Sequence, residues 1–520
     1  MGTIGTSNNR RGLLLMAGAA GVALSTPQRL LAAAAGPEVP FPLMQRAGVL
    51  APIHAAVEKQ RPEAIKRLQD WIAFPSIAAE GRNAQEGAKY MADLLKATGF
   101  QSTSIIQTDG RPGVFATMDN GAARTVGMYF MYDVKQFDPA EWSSPPLEGR
   151  IVDKPGFGKV MIGRGAVNQK GPEATFLAAL HAIRAAGGEP PVNIVLVAEG
   201  EEEIGSPHFH QVVHRPEVLA ALSKCHEVWM PFAAQAPTGG VSVDLGAKGL
   251  IEVELTCTTK AWGQGALDDI HSSYKAELDS AVWRMVKALS TLVSEDGNDP
   301  VIDGWFEHVA PLTPRQKAII AEEAASTSEA ERKKFMGVQK WVRDLPYREA
   351  LERLASQPTV NIEGIYAGYT GPGGKTVLPS KAVAKLDLRL VPNQTAQEAE
   401  AKLKSHLAKR GYGDISVNVT GGYDPTQTDE ASALIQSSLK VYRQAGLPVS
   451  LSPRLAGSWP GYIFTGAPVS LPAGHFGFGH GSRQHAPDEY YVIESANTKL
   501  LGMAGATEGY VEFLYALAGR

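Results

Sequence analysis

Two apolar runs constrain this chain more than any other feature. TVGMYFMYDV (125–134) and NIVLVAEG (193–200) are continuous rather than alternating. Strands of that kind belong to a sheet covered on both faces. Between them, EATFLAALHAIRAAGG (173–188) predicts a helix, with Gly187-Gly188 as its stop signal. Upstream, QEGAKYMADLLKATGF (85–100) predicts an amphipathic helix ended by Gly99. Helix and strand alternate from about 45 to 246, which is the order of an α/β domain with a largely parallel sheet flanked by helices.

The pattern changes near 247. GLIEVELTCTT and AVAKLDLRLVP alternate apolar and polar residues, as an antiparallel sheet with one open face requires. TAQEAEAKLKSHLAKRGY predicts a charged amphipathic helix, and the charge-rich stretch 290–356 a solvated helical insertion. From about 424 the α/β character returns. The boundaries expected are therefore 36–246 and 424–520 for one α/β domain in two parts, with 247–423 as an inserted α+β domain. No internal repeat is visible.

The N-terminus has a separate logic. Arg10-Arg11, a softened apolar stretch from Leu13 to Leu24 and alanines at 32–35 form a charged region, a short apolar region and a small-residue cleavage site. The paired arginines fit a twin-arginine signal over 1–35, and so a periplasmic or secreted protein. About 12 apolar residues are too few to span a bilayer, and no later segment is long and apolar enough. With 44% hydrophobic and 20% charged residues the rest of the chain is of ordinary soluble composition, and a net charge of −4 gives no electrostatic case for nucleic acid. The two cysteines, Cys225 and Cys257, read as separate buried thiols.

Candidate chemistry lies at the strand ends. VAEGEEEIGSP places Glu199, Glu201, Glu202 and Glu203 directly after a buried strand. Adjacent carboxylates repel one another, and the crevice at the strand ends of an α/β sheet is where ligands bind. A general base beside a cation ligand, or a solvated acidic turn, both fit. MYFMYDVKQFDP sends Asp133 out of the other strand, with a thioether, Met131, two residues before it. GFGHGSRQHAPDEY presents His485 from a glycine-rich loop, RLAGSWPG offers Arg454 to a carboxylate, and DDIHSSY offers His271. IGRGAVNQKGPEA is a glycine loop opening a helix without full phosphate-loop spacing.

Taken together, SSPPLEGRIVD, GRGAVNQKGP, EGEEEIGSP, GYTGPGGKTVLPSKAVAKLDLRLVPNQ and GSWP resemble, in order and spacing, the metal-dependent exopeptidase and amidohydrolase family of carnosinase, aminoacylase, carboxypeptidase G and succinyl-diaminopimelate desuccinylase. The resemblance implies a zinc-exopeptidase-like α/β fold with an inserted lid domain, and a homodimer through the lid. In that family two zinc ions share five ligands. Carried over position by position, Glu203 and His485 are retained as ligands and Glu202 as the general base. Met131, Asn168 and Phe232 stand where a histidine, a bridging aspartate and a second aspartate would be. The resemblance also gives His271 as the lid histidine that reaches into the partner's site, and Arg454, with Gly457 and Ser458, as the substrate cradle.

A thioether, a neutral amide and a phenyl ring are poor replacements for zinc ligands. The expectation from sequence is therefore that no cofactor is required, with a single weakly held zinc on Glu203 and His485 as the alternative. Glu202 then works as a metal-free acid/base, with Met131, Phe232 and Asn168 as pocket walls. Asp133, relieved of orienting a histidine, is either a second acid/base carboxylate or a loop cap. Three functions remain open: a metal-independent enzyme acting on a small carboxylate-bearing or peptide-like amide or an amino-acid-derived substrate, by amide cleavage or formation or by elimination, cyclisation or isomerisation; a non-catalytic relative that binds a small carboxylate or a partner; or a single-metal hydrolase.

Overall fold

The computed structural model describes residues 47–520, so the export signal expected over 1–35 lies outside the described residues. A six-stranded sheet forms the centre, in the order 102–106, 113–118, 193–199, 125–131, 228–231, 473–476. The last four run parallel, and the first two join antiparallel at one edge. The strands Thr125–Met131 and Asn193–Glu199 are buried along almost their whole length, as their unbroken apolar sequence requires. The helices Ala47–Ile72, Lys170–Ala185 and Met503–Leu517 pack over one face in a single large apolar cluster. The short helices Phe209–Val213 and Pro216–Leu222 close the other face in a second cluster, which also holds Tyr129, Met131 and Trp459. This is the mixed, largely parallel α/β sheet expected. The helix Ala84–Thr98 ends where Gly99 enters the left-handed region at φ +103°.

A second apolar core belongs to a four-stranded antiparallel sheet, ordered 359–367, 381–390, 249–258, 416–423. In Gly249–Thr258 the outer half alternates strictly, with Val253, Leu255 and Cys257 inward under the helices Ala281–Ser290 and Ala396–Lys409. The opposite face carries Glu252, Glu254, Glu363 and Lys385, which line a cavity of ≈ 410 Å³ together with Glu203 and Lys135. The lid sheet therefore roofs the strand ends of the central sheet.

The stretch 290–356 is more than a solvated appendage. Its helix Pro314–Ser326 begins with a complete capping box, Thr313 and Gln316 exchanging hydrogen bonds. Ile320, Tyr347, Leu351 and Ala355 make an apolar cluster of their own. Periodic apolar positions diluted among charges are enough to bury one stripe of each helix. Cys225 and Cys257 are free and buried. Among the described residues no helix is long and apolar enough to cross a membrane.

Candidate active site

The site grows from two neighbouring parallel strands. Beyond Met131 the chain delivers Asp133, which is 1% exposed. Its Oδ1 accepts from the backbone N–H of Glu202 at 3.3 Å and its Oδ2 from that of Glu203 at 3.1 Å. Asp133 thus caps the 3₁₀ turn Glu202–Ile204 from the adjacent strand. Glu199, the last residue of its own strand, accepts from Tyr129 (2.9 Å) and Ser206 (2.7 Å) and fastens the turn from below. Tyr423 of the lid sheet donates to the Glu202 carbonyl at 2.8 Å.

A second loop meets this turn. Glu489, fully buried, accepts from Arg164 Nη1 (2.7 Å) and from the backbone N–H groups of Gly165, Val167 and Asn168. That anchor presents the Asn168 amide, whose Nδ2 donates to Glu203 Oε1 at 2.7 Å and lies 3.1 Å from His485 Nε2. His485 Nε2 is also 3.1 Å from Glu203 Oε2, within ion-pair distance. Lys135 Nζ is 3.6 Å from the same oxygen and donates to the Glu203 carbonyl. Glu203 Oε2 is buried and has no aligned hydrogen-bond donor. An acceptor left open beside an imidazole nitrogen is suited to a cation.

Burial and neighbouring negative charge raise the proton affinity of the carboxyls around this pair. Burial, and then the charges of Glu203, Asp133 and Glu199, hold the Glu202 carboxyl well above the ordinary range, with Lys135 opposing. Burial and the Glu203 charge push Asp133 up to about 8, although its backbone hydrogen bonds pull the other way.

The residues named from sequence divide into two groups. Glu202, Glu203, Asn168, His485 and Asp133 come together. Asp133, considered as an acid/base group, sits behind the turn with both oxygens engaged, and its place is that of a positioning residue. Met131 and Phe232, expected as pocket walls, do not line the Glu203 cleft. Met131 is packed with Tyr129, Trp459 and Phe464, and its N–H is taken by buried Glu173. Phe232 stacks at an angle on His475, ring centroids 5.2 Å apart, and lines a different cavity. Met131 thus follows its apolar neighbours, and Phe232 the ring of His475. His271 is exposed and hydrogen-bonds Ser273 and Thr376 on its own arm. Arg454 donates to the Ala355 carbonyl (2.6 Å) and to Gln427 (3.2 Å). Ser458 accepts from Arg389 at 3.1 Å, while Gly457 has room for a side chain.

Arg389 and Glu489 were not singled out by sequence reasoning. Arg389 carries a legible signal, since LDLRLVP puts it on the same face of its strand as Asp387 and Lys385, the charged face. Glu489 carries none, because only the fold brings the 163–168 loop to it.

The fold and this constellation define a hydrolase of the exopeptidase kind. The family model described as Peptidase family M20/M25/M40 matches residues 132–501, and the chain belongs to that family. Curated relatives include the Cys-Gly metallodipeptidase dug1 of Schizosaccharomyces pombe, 26% identical over 69% of this chain and 75% of that protein. The Beta-Ala-His dipeptidase of Homo sapiens is 27% identical over 71% and 74%. Among solved structures, the M20 family metallo-carboxypeptidase Sso-CP2 from Sulfolobus solfataricus superposes with a TM-score of 0.77 at 29% identity, covering 88% of this chain and 100% of that one. The dipeptidase Dug1p from Saccharomyces cerevisiae gives 0.76 at 20% identity, over 91% and 99%, and shares the fold.

These relatives correct one expectation. The substitutions at 131, 168 and 232 argued that no cofactor is required, whereas dug1 is a metallodipeptidase and Sso-CP2 a metallo-carboxypeptidase by name. The physical reason is that the two retained ligand positions, Glu203 and His485, still meet at 3.1 Å, although the bridging position at 168 is a neutral amide and 131 and 232 carry no strong ligand. Among the described residues there is no group of three or more His, Cys, Asp or Glu side chains placed to hold an ion.

Proposed function

We propose that this protein hydrolyses the amide bond of small dipeptide-like substrates with one divalent metal ion, Glu202 acting as the general base. The observation that carries the reading is the meeting of Glu202, Glu203, His485 and Asn168 at the ends of parallel strands. The donor chemistry fits one ion. Glu203 Oε2 and His485 Nε2 would hold it, with the amide oxygen of Asn168 as a third donor once the amide turns over. Met131 and Phe232 offer a second ion no strong ligand. With two strong protein ligands where catalytic zinc sites have three, affinity is low. A bound ion supplies a Lewis acid and an acidified water.

The chain's own groups do the rest. Glu202, its proton affinity raised by burial and by neighbouring carboxylates, takes a proton from water and returns it to the leaving amine. Asp133 and Tyr423 fix its turn from either side. Lys135 faces the same carboxylates and moderates their repulsion. Arg389 with Ser458 offers a cation and a hydroxyl to a substrate carboxylate.

Turnover of Cys-Gly and β-Ala-His tests the reading. Glu202→Gln is expected to lower kcat by at least ~10²-fold. Chelation is expected to abolish activity and excess zinc or manganese to restore it, with no more than one ion per chain. Undiminished turnover in Glu202→Gln, or no turnover by metal-loaded wild type, would reject it.

Two finer readings accompany this one. A homodimer through the lid is supported by the edge strand Thr359–Ala367, which exposes Ile362, Ile365 and Tyr366, and by Trp283, 60% exposed on a lid helix. Export is supported by Arg10-Arg11 and the apolar stretch behind them, and N-terminal sequencing of protein from the periplasm or medium checks it by the loss of about 35 residues.

A further inference from the structure

A cavity of ≈ 310 Å³ lies between the helical insertion and the point where the chain enters the lid. It is lined by Lys248, Arg332, Arg353, Trp341, Tyr347 and Leu354, and no aspartate or glutamate of the described residues lines it. None of the groups that meet around Glu203 reaches it, and neither Arg389 nor Arg454 is part of its wall. Lys248 stands between the short strand Gly246–Ala247, paired with Thr426–Gln427, and the lid strand Gly249–Thr258. Both connections between the two cores pass here.

One of its three cations has no counter-charge. Arg332 pairs with Glu323 at 3.5 Å, and Arg353 pairs with Asp299. Lys248 is 4% exposed, and its Nζ donates to the Gln357 carbonyl at 2.7 Å. That bond caps the end of the helix Tyr347–Ser356 but supplies no full negative charge. Among the described residues no carboxylate stands within ion-pair distance of Nζ. An ammonium has three donors, of which the carbonyl takes one. Burial, and then the charges of Arg389, Arg454 and Arg353, push the group down to about 8. A buried cation without a partner is costly, and an anion brought beside it removes the cost.

We propose that this cavity binds a small monocarboxylate with an aromatic body, its carboxylate on Lys248 and its ring against Trp341 and Tyr347. One unmatched cation calls for one negative charge, since Arg332 and Arg353 are already paired. The Trp341 and Tyr347 rings stack with centroids 5.7 Å apart and form one aromatic wall. Met336, Leu351 and Leu354 supply further apolar surface, which a bare anion leaves uncovered. The volume is at the lower end for ligand pockets, which suits a single ring on a short acid arm better than a peptide. Such an occupant touches the insertion and the junction of the lid at once, and so ties the one to the other.

Isothermal titration of the intact protein with 3-phenylpropionate, 3-phenylpropylamine and acetate tests this without reference to turnover. 3-Phenylpropionate is expected to bind, and the amine and the bare acid to bind about tenfold more weakly or worse. Lys248→Met keeps the length of the side chain without its charge and is expected to weaken 3-phenylpropionate by about tenfold or more, with circular dichroism showing a folded chain. Leu354→Glu, at a position 39% exposed, puts a like charge in the wall and is expected to weaken it too, which keeps the assignment open to refutation if Lys248→Met does not fold. Arg454→Gln and His485→Ala are expected to leave the affinity nearly unchanged. Equal affinity for the amine or for acetate, undiminished binding in folded Lys248→Met or Leu354→Glu, or no binding by wild type would each overturn the assignment. Loss of binding in Arg454→Gln or His485→Ala would place the ligand in another site and overturn it as well.

Discussion

Asp133 shows how a residue keeps a place after its neighbour's chemistry has changed. Its two oxygens hold the backbone N–H groups of Glu202 and Glu203, and this cap needs nothing from residue 131. Asp133→Ala strands two buried donors at roughly 1–3 kcal/mol each. Denaturant unfolding is expected to show that loss, and kcat is expected to fall because Glu202 is no longer held. A variant as stable and as active as wild type would leave Asp133 with no positioning role. The residue was legible as important from its position past a strand end. Its partner was not, because a backbone N–H seventy residues away has no sequence signature.

At the scale of elements, the decisive contact is between the Glu202–Ile204 turn and the lid strand Ser416–Tyr423. Gly205 ends the turn at φ +89°, and a Cβ there would stand 2.7 Å from the Cα of Gly421. Gly205→Ala therefore incurs both a left-handed backbone and a collision with main chain. A loss of roughly 1–3 kcal/mol is expected, with a fall in kcat because the catalytic turn is displaced. Gly337, at φ +67° with nothing near its missing Cβ, supplies the comparison: Gly337→Ala incurs the backbone part alone and leaves kcat unchanged. Equal effects of the two substitutions would show that the contact with the lid does not matter. The helical insertion teaches a related lesson. Its charge density suggested full solvation, yet Ile320, Tyr347 and Leu351 bury a stripe, and Ala355 reaches Arg454.

For the whole molecule, the sides of the lid carry opposite character. The face over the strand ends is charged and lines the Glu203 cleft, while the far helix and the edge strand expose Trp283, Ile362, Ile365 and Tyr366. Sedimentation of the purified protein is expected to show a dimer at micromolar concentration, shifted toward monomer by Trp283→Glu with Ile365→Glu. A monomer at every concentration would remove the dimer and with it the reach of His271 into a second site that the family resemblance implies.

Periodicity alone determined the two cores, since unbroken apolar runs demand a two-sided sheet and alternating runs a one-sided one. The order of local motifs likewise marked Glu202, Glu203 and His485, because each follows a strand end or a glycine-rich loop. Only the tertiary structure decided what those groups touch. Asp133 caps a turn on another strand, Glu489 gathers four donors from a distant loop, Met131 retreats into an apolar cluster, and Arg454 turns toward the insertion. Each of these depends on burial and on partners far away in sequence, and a local pattern holds no record of either.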